Sequence, residues 1–181
     1  MSVVPMPSGD GRAALAARAR RTRLLLTDCD GVLTDGSVYY SDAGEALKRF
    51  SVRDGMGVER LRAAGIETAI LTREVSPAVR QRAKKLGLPY LFEGVSDKAA
   101  HLEVVERESG FGREALAYIG DDVNDLGIIE AIFPRGITAA PADAMIEVRS
   151  AVHYRTWDPG GRGAFRDFAE WILRLRQRPG G

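Results

Sequence analysis

Residues 24–36 read LLLTDCDGVLTDG. Leu24, Leu25, Leu26 and Thr27 form a short, continuous apolar run of the kind that suits a strand buried on both faces. Asp28, Cys29, Asp30 and Gly31 follow at once, so two carboxylates stand at the carboxyl end of that strand. In an extended chain Asp28 and Asp30 point to one side and Cys29 to the other. Carboxylates held that close repel unless a cation or a shared proton comes between them. A packed small residue is the simplest reading of Cys29.

The pattern recurs downstream. ALAYIG (115–120) is a second apolar run, and Asp121, Asp122, Asn124 and Asp125 follow it. Between and beyond these two runs, strands and helices alternate. Residues 36–51 (GSVYYSDAGEALKRFS) read as a β-hairpin, with SDAGE as its turn. A helix is expected over 54–64, a strand over 66–72, and a helix over 76–87 with Ser76 as cap, Pro77 at its first position and Gly87 as its stop. A strand over 88–94, a helix over 96–110, a strand over 115–120 and a helix over 122–132 continue the series, with further strands near 133–138 and 151–154. Residues 161–178 close it as an amphipathic helix with Phe165, Phe168, Ala169, Ile172 and Leu175 on one stripe. This alternation predicts an α/β fold with a doubly wound parallel sheet. In such sheets ligands bind beyond the carboxyl ends of the strands. The residues to inspect are therefore Asp28 to Gly31, Thr72 to Glu74, Glu93-Gly94 and Gly120 to Asp122.

The chain's 181 residues predict one domain over 23–181, preceded by a basic lead-in over 1–22. Within that lead-in, 12–23 also reads as an Ala/Arg helix. Hydrophobic residues at 45% and charged residues at 28% exclude a disordered chain or a fibre. One cysteine excludes an internal disulfide framework and a multi-cysteine zinc site, and two histidines leave little for a His-rich metal centre. No apolar run approaches the roughly 18 residues that span a bilayer, and residues 1–10 lack the apolar core of a signal peptide. A cytoplasmic setting is expected. Net charge is +1, with an excess of positive charge in 1–23 and in 149–181 around an acidic middle. That distribution fits a metal-binding core between anion-binding segments, or simply solvated helix faces. No dense Lys/Arg run interleaved with aromatics is present, so nucleic acid is not an expected partner.

Hard carboxylate oxygens at two strand ends suit Mg²⁺, which takes one or two carboxylates, waters and a phosphate. Either cluster alone could be a turn and a helix cap; together, at strand ends of one α/β chain, they point to phosphoryl chemistry. With a cation neutralising both anions, a carboxylate can attack a phosphomonoester to give an aspartyl phosphate. A second carboxyl group can protonate the leaving oxygen and then deprotonate water. Thr72 offers a hydroxyl donor and Lys98 a cation for the phosphoryl oxygens, although a lone lysine is more often a solvated surface residue.

At these residues the chain resembles the haloacid dehalogenase (HAD) phosphatase superfamily. Asp28 to Gly36 looks like its first motif, Thr72 its second, Lys98 its third and Gly120 to Asp125 its fourth. Five fixed positions of the first motif, at roughly 0.06 each, give on the order of 10⁻⁶ per start site by chance. The resemblance covers about residues 24–170. It implies Asp28 as nucleophile, Asp30 as general acid/base, and Mg²⁺ held by Asp28, Asp121 and the Asp30 backbone carbonyl. Asp122 and Asp125 are implied as supports, and Thr72 and Lys98 as phosphoryl ligands.

The hairpin after the first motif, FSVRDGMG (50–57) and GGRGAFRD (160–167) are similar to the branch that includes 3-deoxy-D-manno-octulosonate 8-phosphate (KDO 8-phosphate) phosphatases. That branch has a small hairpin in place of a cap and assembles as homotetramers through it, a neighbouring subunit helping to close the site. Arg53 and Arg162 follow its pattern and are candidate substrate-binding residues. Thr72-Arg73-Glu74 departs from the Thr/Ser-Gly-Arg usual there. Glu74, with Lys85 eleven residues on, instead resembles the 2-keto-3-deoxynononate 9-phosphate (KDN 9-phosphate) phosphatases and the phosphatase-like domains of some acylneuraminate cytidylyltransferases. The expected substrate is thus a 2-keto-3-deoxy sugar acid phosphate: KDO 8-phosphate, KDN 9-phosphate or an N-acylneuraminate 9-phosphate. The rivals are a non-catalytic tetramerisation domain and a phosphatase of broad specificity. A phospho-acceptor signalling domain also combines Asp, Thr and Lys on such a sheet, but it lacks a carboxyl group two residues after its nucleophile, which Asp30 supplies.

Overall fold

The computed structural model describes residues 9–177. Its elements run α1 (Gly9–Arg21), β1 (Leu24–Thr27), β2 (Tyr39–Ser41), β3 (Gly44–Leu47), α2 (Val52–Ala63), β4 (Glu67–Leu71), α3 (Pro77–Leu86), β5 (Tyr90–Phe92), α4 (Leu102–Ser109), β6 (Leu116–Ile119), α5 (Leu126–Ile132), β7 (Ile137–Ala140), α6 (Ile146–Ser150), β8 (Tyr154–Arg155) and α7 (Ala164–Arg176). Six strands form one sheet in the order β5-β4-β1-β6-β7-β8, and each of its pairings is parallel. The order steps outward from β1 in both directions, which is the doubly wound arrangement that alternating strands and helices predict.

Side-chain alternation along the strands divides the core into two layers. Leu25, Ile70, Ala117, Ile119, Ile137 and Ala139 face one way and pack with residues of α1, α2, α3 and α7. Leu24, Leu26, Ala69, Leu71, Leu116 and Tyr118 face the other, against α4, α5 and α6. β1, β4 from Thr68, β6 and β7 are buried throughout, which explains their unbroken apolar reading. The expected stripe of α7 is buried in full.

The N-terminal basic stretch does more than lead in. Leu15, Ala16 and Ala19 are buried, and Arg18 reaches across to the Phe133 carbonyl at 2.7 Å. Residues 1–8 of that stretch, and residue 178 of the expected last helix, lie outside the described residues. No helix among the described residues is long and apolar enough to cross a membrane.

Three elements depart from expectation, each for a local reason. α4 begins at Leu102 rather than 96, because residues 98–101 make turns that carry the Lys98 side chain into the interior. The expected helix over 122–132 opens with a short 3₁₀ turn, Val123–Asp125, before α5, because the Asp125 carboxylate is spent on backbone groups. α6 was not anticipated. It lies in the connection between β7 and β8 and buries only Val148, too little to leave a periodic signal.

β2 and β3 form a separate antiparallel hairpin, with Ser41 opposite Gly44. It stands between β1 and α2, where the sequence places it, and exposes Val38, Tyr39, Tyr40 and Leu47.

Candidate active site

Register brings the chemistry to one edge. Thr27 pairs with Ile70 on one side and Ile119 on the other, so β1, β4 and β6 end together. Asp28, Thr72 and Asp121 therefore emerge side by side. They line a cavity of about 260 Å³ with Asp30, Glu74 and Asp122. Gly31, Gly36, Arg73 and Asn124 complete it, and Arg73 is the one cationic side chain among the lining residues.

Asp28 is almost fully buried and both of its oxygens are engaged. The Cys29 amide donates to Oδ1 at 2.6 Å, and Lys98 Nζ lies 2.8 Å from Oδ2. Burial pushes the Asp28 carboxyl up to about 7, the charge of Asp125 adds to this, and Lys98 opposes both. Lys98 is buried beneath the cavity rather than solvated at the surface. Burial works against its charge, but Asp28 and Asp125 outweigh that and hold its pKa above the ordinary lysine range.

Asp125 is the hub below the cavity. Its Oδ1 lies 2.5 Å from Lys98 Nζ and accepts the Tyr118 hydroxyl at 2.6 Å. Its Oδ2 accepts the amides of Asp121 and Asp122 at 2.8 and 3.3 Å. The Asp122 side chain in turn accepts the Asp125 amide, completing a reciprocal capping box, and also accepts the Val123 amide at 2.7 Å. The Asp121 carboxyl is pushed up to about 8 by burial, then by the charges of Asp28 and Asp125.

One carboxylate oxygen from each of Asp28, Asp121 and Asp125 falls within 4.8 Å of the others. Each Asp125 oxygen already serves two donors and each Asp28 oxygen only one, so Asp28, with a lone pair left on each oxygen, and Asp121 are the carboxylates that could meet a cation. A buried and a half-buried carboxylate that repel each other, at an open cavity, fit a hard divalent ion such as Mg²⁺. The Asp30 side chain turns another way: its Oδ1 accepts from Lys48 at 2.7 Å and from Thr34 at 3.3 Å.

Two glycines make this packing possible. Gly31 has φ +85°, and a Cβ there would sit 2.0 Å from Asp121 Oδ2. Gly160 lies so close that its Cβ would stand 1.9 Å from the Gly31 carbonyl oxygen. The Gly-Gly pair before α7 is thus the backbone wall behind the first acidic loop.

Of the expected substrate residues, Glu74 lies in the cavity wall, and its amide donates to Thr72 Oγ1 at 3.2 Å. Arg53, in the first turn of α2, and Arg162, before α7, are exposed and are not among the lining residues. Lys85 sits in the last turn of α3, about 14 Å of helix beyond Ser76, and does not join Glu74 in the cavity. Sequence reading missed Lys48, Glu45 and Tyr118. A lysine within ALKRF looks like an ordinary strand residue, and a tyrosine within LAYI looks like plain core.

No family model matches the chain. It is 41% identical over 154 residues to the 3-deoxy-D-manno-octulosonate 8-phosphate phosphatase KdsC of Haemophilus influenzae, covering 85% of this chain and 84% of that protein. A cobalt-bound structure of the Haemophilus influenzae phosphatase superposes with a TM-score of 0.83 at 39% identity, covering 88% of this chain and 91% of the other. A Moraxella catarrhalis KDO 8-phosphate phosphatase, in complex with magnesium, phosphate and KDO, has a TM-score of 0.82 at 34% identity over 90% and 91% of the two chains. With this kinship and the acidic strand ends at the cavity, the chain belongs to the 3-deoxy-D-manno-octulosonate 8-phosphate phosphatase family of the HAD superfamily, a family of phosphoric monoester hydrolases.

Proposed function

We propose that this chain is a Mg²⁺-dependent phosphomonoesterase that hydrolyses KDO 8-phosphate through an aspartyl phosphate on Asp28. The observation that carries the substrate is the magnesium, phosphate and KDO complex of the Moraxella catarrhalis relative, read onto a chain with acids at the corresponding kind of strand-end cavity.

Asp28 attacks phosphorus as the bond to the sugar oxygen breaks. The leaving oxygen takes its proton from the Asp30 carboxyl group. Asp30, now a carboxylate, takes a proton from the water that attacks the aspartyl phosphate, which releases inorganic phosphate and restores both residues. Lys98, 2.8 Å from Asp28, and the Thr72 hydroxyl hold the phosphoryl oxygens. Asp28, Asp121 and the Asp30 carbonyl hold Mg²⁺, with Asp122 and Asp125 as supports; the ion supplies the positive charge that lets two anions approach. Arg73 is the side chain in the cavity wall suited to the carboxylate of a sugar acid. Arg53 and Arg162 act at the rim. The enzyme works in the cytoplasm as a homotetramer joined through its hairpins.

A second reading keeps the chemistry and changes the sugar. Glu74 in the cavity wall favours KDN 9-phosphate or an N-acylneuraminate 9-phosphate, because a carboxylate accepts hydroxyl hydrogen bonds where an arginine only donates.

The test is phosphate release with Mg²⁺ from KDO 8-phosphate, KDN 9-phosphate and N-acetylneuraminate 9-phosphate, with Asp28→Asn as control. KDO 8-phosphate is expected to lead by about 100-fold or more in kcat/KM, about 2.7 kcal/mol. A nine-carbon substrate in the lead replaces the first reading with the second. Equal, slow turnover of all three beside rapid turnover of an aryl phosphate means broad specificity. No turnover by folded protein means a non-catalytic assembly domain.

A further inference from the structure

The two oxygens of Asp30 are unequal. Lys48 Nζ lies 2.7 Å from Oδ1, and Thr34 donates to the same atom at 3.3 Å. Oδ2 is buried and has no hydrogen-bond partner among the described residues. One oxygen is therefore pinned by a cation and a hydroxyl, while the other has no partner among these residues.

Lys48 is itself pinned. Its side chain is 1% exposed although it directly follows the exposed strand β3. Lysine is almost never buried to this degree without a partner. Its ammonium also lies 3.3 Å from Glu45 Oε2, and Glu45 Oε1 accepts the Ser76 hydroxyl at 2.8 Å. Ser76 stands four residues after Thr72. A continuous polar chain thus runs from the loop after β4, through the hairpin, to Asp30. A purely structural staple would tie the hairpin to the domain, but it would have no need to end on one oxygen of a cavity carboxyl.

We infer that Lys48 is a positioning residue for Asp30, clamped by Glu45 so that the Asp30 carboxyl is held in one orientation in the cavity wall, toward the leaving oxygen of the phosphate ester. The inference rests on the reading of Asp30 as general acid. Lys48 does not touch the ester. It acts by fixing the orientation of the Asp30 carboxyl, and it makes the hairpin part of the catalytic apparatus.

The experiment uses leaving-group dependence. A sugar alkoxide needs a proton to depart, whereas 4-nitrophenolate departs without one. Lys48→Met, Lys48→Arg and Glu45→Gln are compared with wild type on KDO 8-phosphate and on 4-nitrophenyl phosphate, as kcat/KM with Mg²⁺. That ratio covers binding through departure of the leaving group and excludes the later attack of water. Lys48→Met is expected to lose about 100-fold on the sugar phosphate and under about 3-fold on the aryl ester, and Lys48→Arg to recover much of the loss. Equal losses on both esters, or no loss on either, overturn the inference. Should Lys48→Met fail to fold, Glu45→Gln, which loosens the clamp and keeps the lysine, decides by the same comparison. Wild-type protein inactive on both esters overturns the phosphatase reading, and this inference with it, which is a result distinct from equal losses in the variants.

Discussion

The ammonium of Lys98 lies 2.5 Å from Asp125 Oδ1, and neither side chain is open to solvent. The same ammonium reaches Asp28, so the proposed nucleophile stands on a buried ion pair. Breaking such a pair leaves an uncompensated charge in the interior, and the Asp125 oxygens also serve Tyr118 and two amides. Asn at 125 has one oxygen and cannot satisfy both donor sets, so at least one of them goes unpaired. Asp125→Asn is expected to cost about 3 kcal/mol, a fall of roughly 6–12 °C in Tm for a chain of this size. Thermal unfolding followed by circular dichroism checks it. A fall under 2 °C would mean that the hub does not bear on stability.

Metal-free protein should lose stability as pH rises. The Asp121 carboxyl titrates near 8 when folded, against 3.8 ordinarily, because burial and then the Asp28 and Asp125 charges disfavour its ionised form. Asp28 moves the same way, to about 7, with burial first and Asp125 second among the causes. Between about pH 4 and pH 8 the folded protein holds protons that the unfolded chain has released. Stability from these two groups is therefore fully present at low pH and is lost as pH rises through 7 and 8. A divalent cation reverses this, since it binds the deprotonated pair. The rise in Tm produced by saturating Mg²⁺ should be larger at pH 8.5 than at pH 5.5. Equal rises at both values would remove Asp28 and Asp121 as the metal's ligands.

Gly160→Ala should damage the site from behind. Its Cβ would meet the Gly31 carbonyl oxygen at 1.9 Å, a backbone atom that cannot swing aside. Overpacking of this kind costs about 1–3 kcal/mol, and the loop that yields carries Asp28 and Asp30. A fall of several degrees in Tm is expected together with at least a 10-fold loss of kcat. Gly65→Ala is the comparison. Gly65 has φ +74° but open space around it, so its substitution should cost about 1 kcal/mol and leave kcat unchanged.

The strands and the acids at their ends were legible because short apolar runs followed by Asp or Thr carry two signals at once. The same economy hid Lys98's true setting. By pattern it begins a helix, yet the chain turns at 98–101 to send it inward, and nothing local marks that. Lys48 and Glu45 were illegible for a related reason: their partners, Asp30 and Ser76, lie 18 and 31 residues away, and only the folded hairpin brings them together. Lys85 shows the reverse error. Eleven residues from Glu74 looks near along the chain, but nine of them lie in the helix α3, which carries Lys85 away from the cavity.

The hairpin's exposed face leads to the last expectation. Among the described residues β2 and β3 pair only with each other, and a two-stranded hairpin is marginal by itself in water. Tyr40 is 76% exposed and Leu47 52%, and Tyr39 and Val38 extend the same apolar surface. Open strand edges with aromatic faces invite pairing with another copy. Sedimentation of the native protein is expected to give four times the 19.7 kDa chain mass. Tyr40→Glu combined with Leu47→Glu, which places charge on that face and leaves the buried core alone, should shift the protein to smaller species. Because Lys48 leaves the hairpin directly after Leu47, the same variant should lose activity on a sugar phosphate more than on an aryl phosphate. A native protein that sediments at 19.7 kDa would leave the hairpin face without a second copy to cover it and would refute assembly through this element.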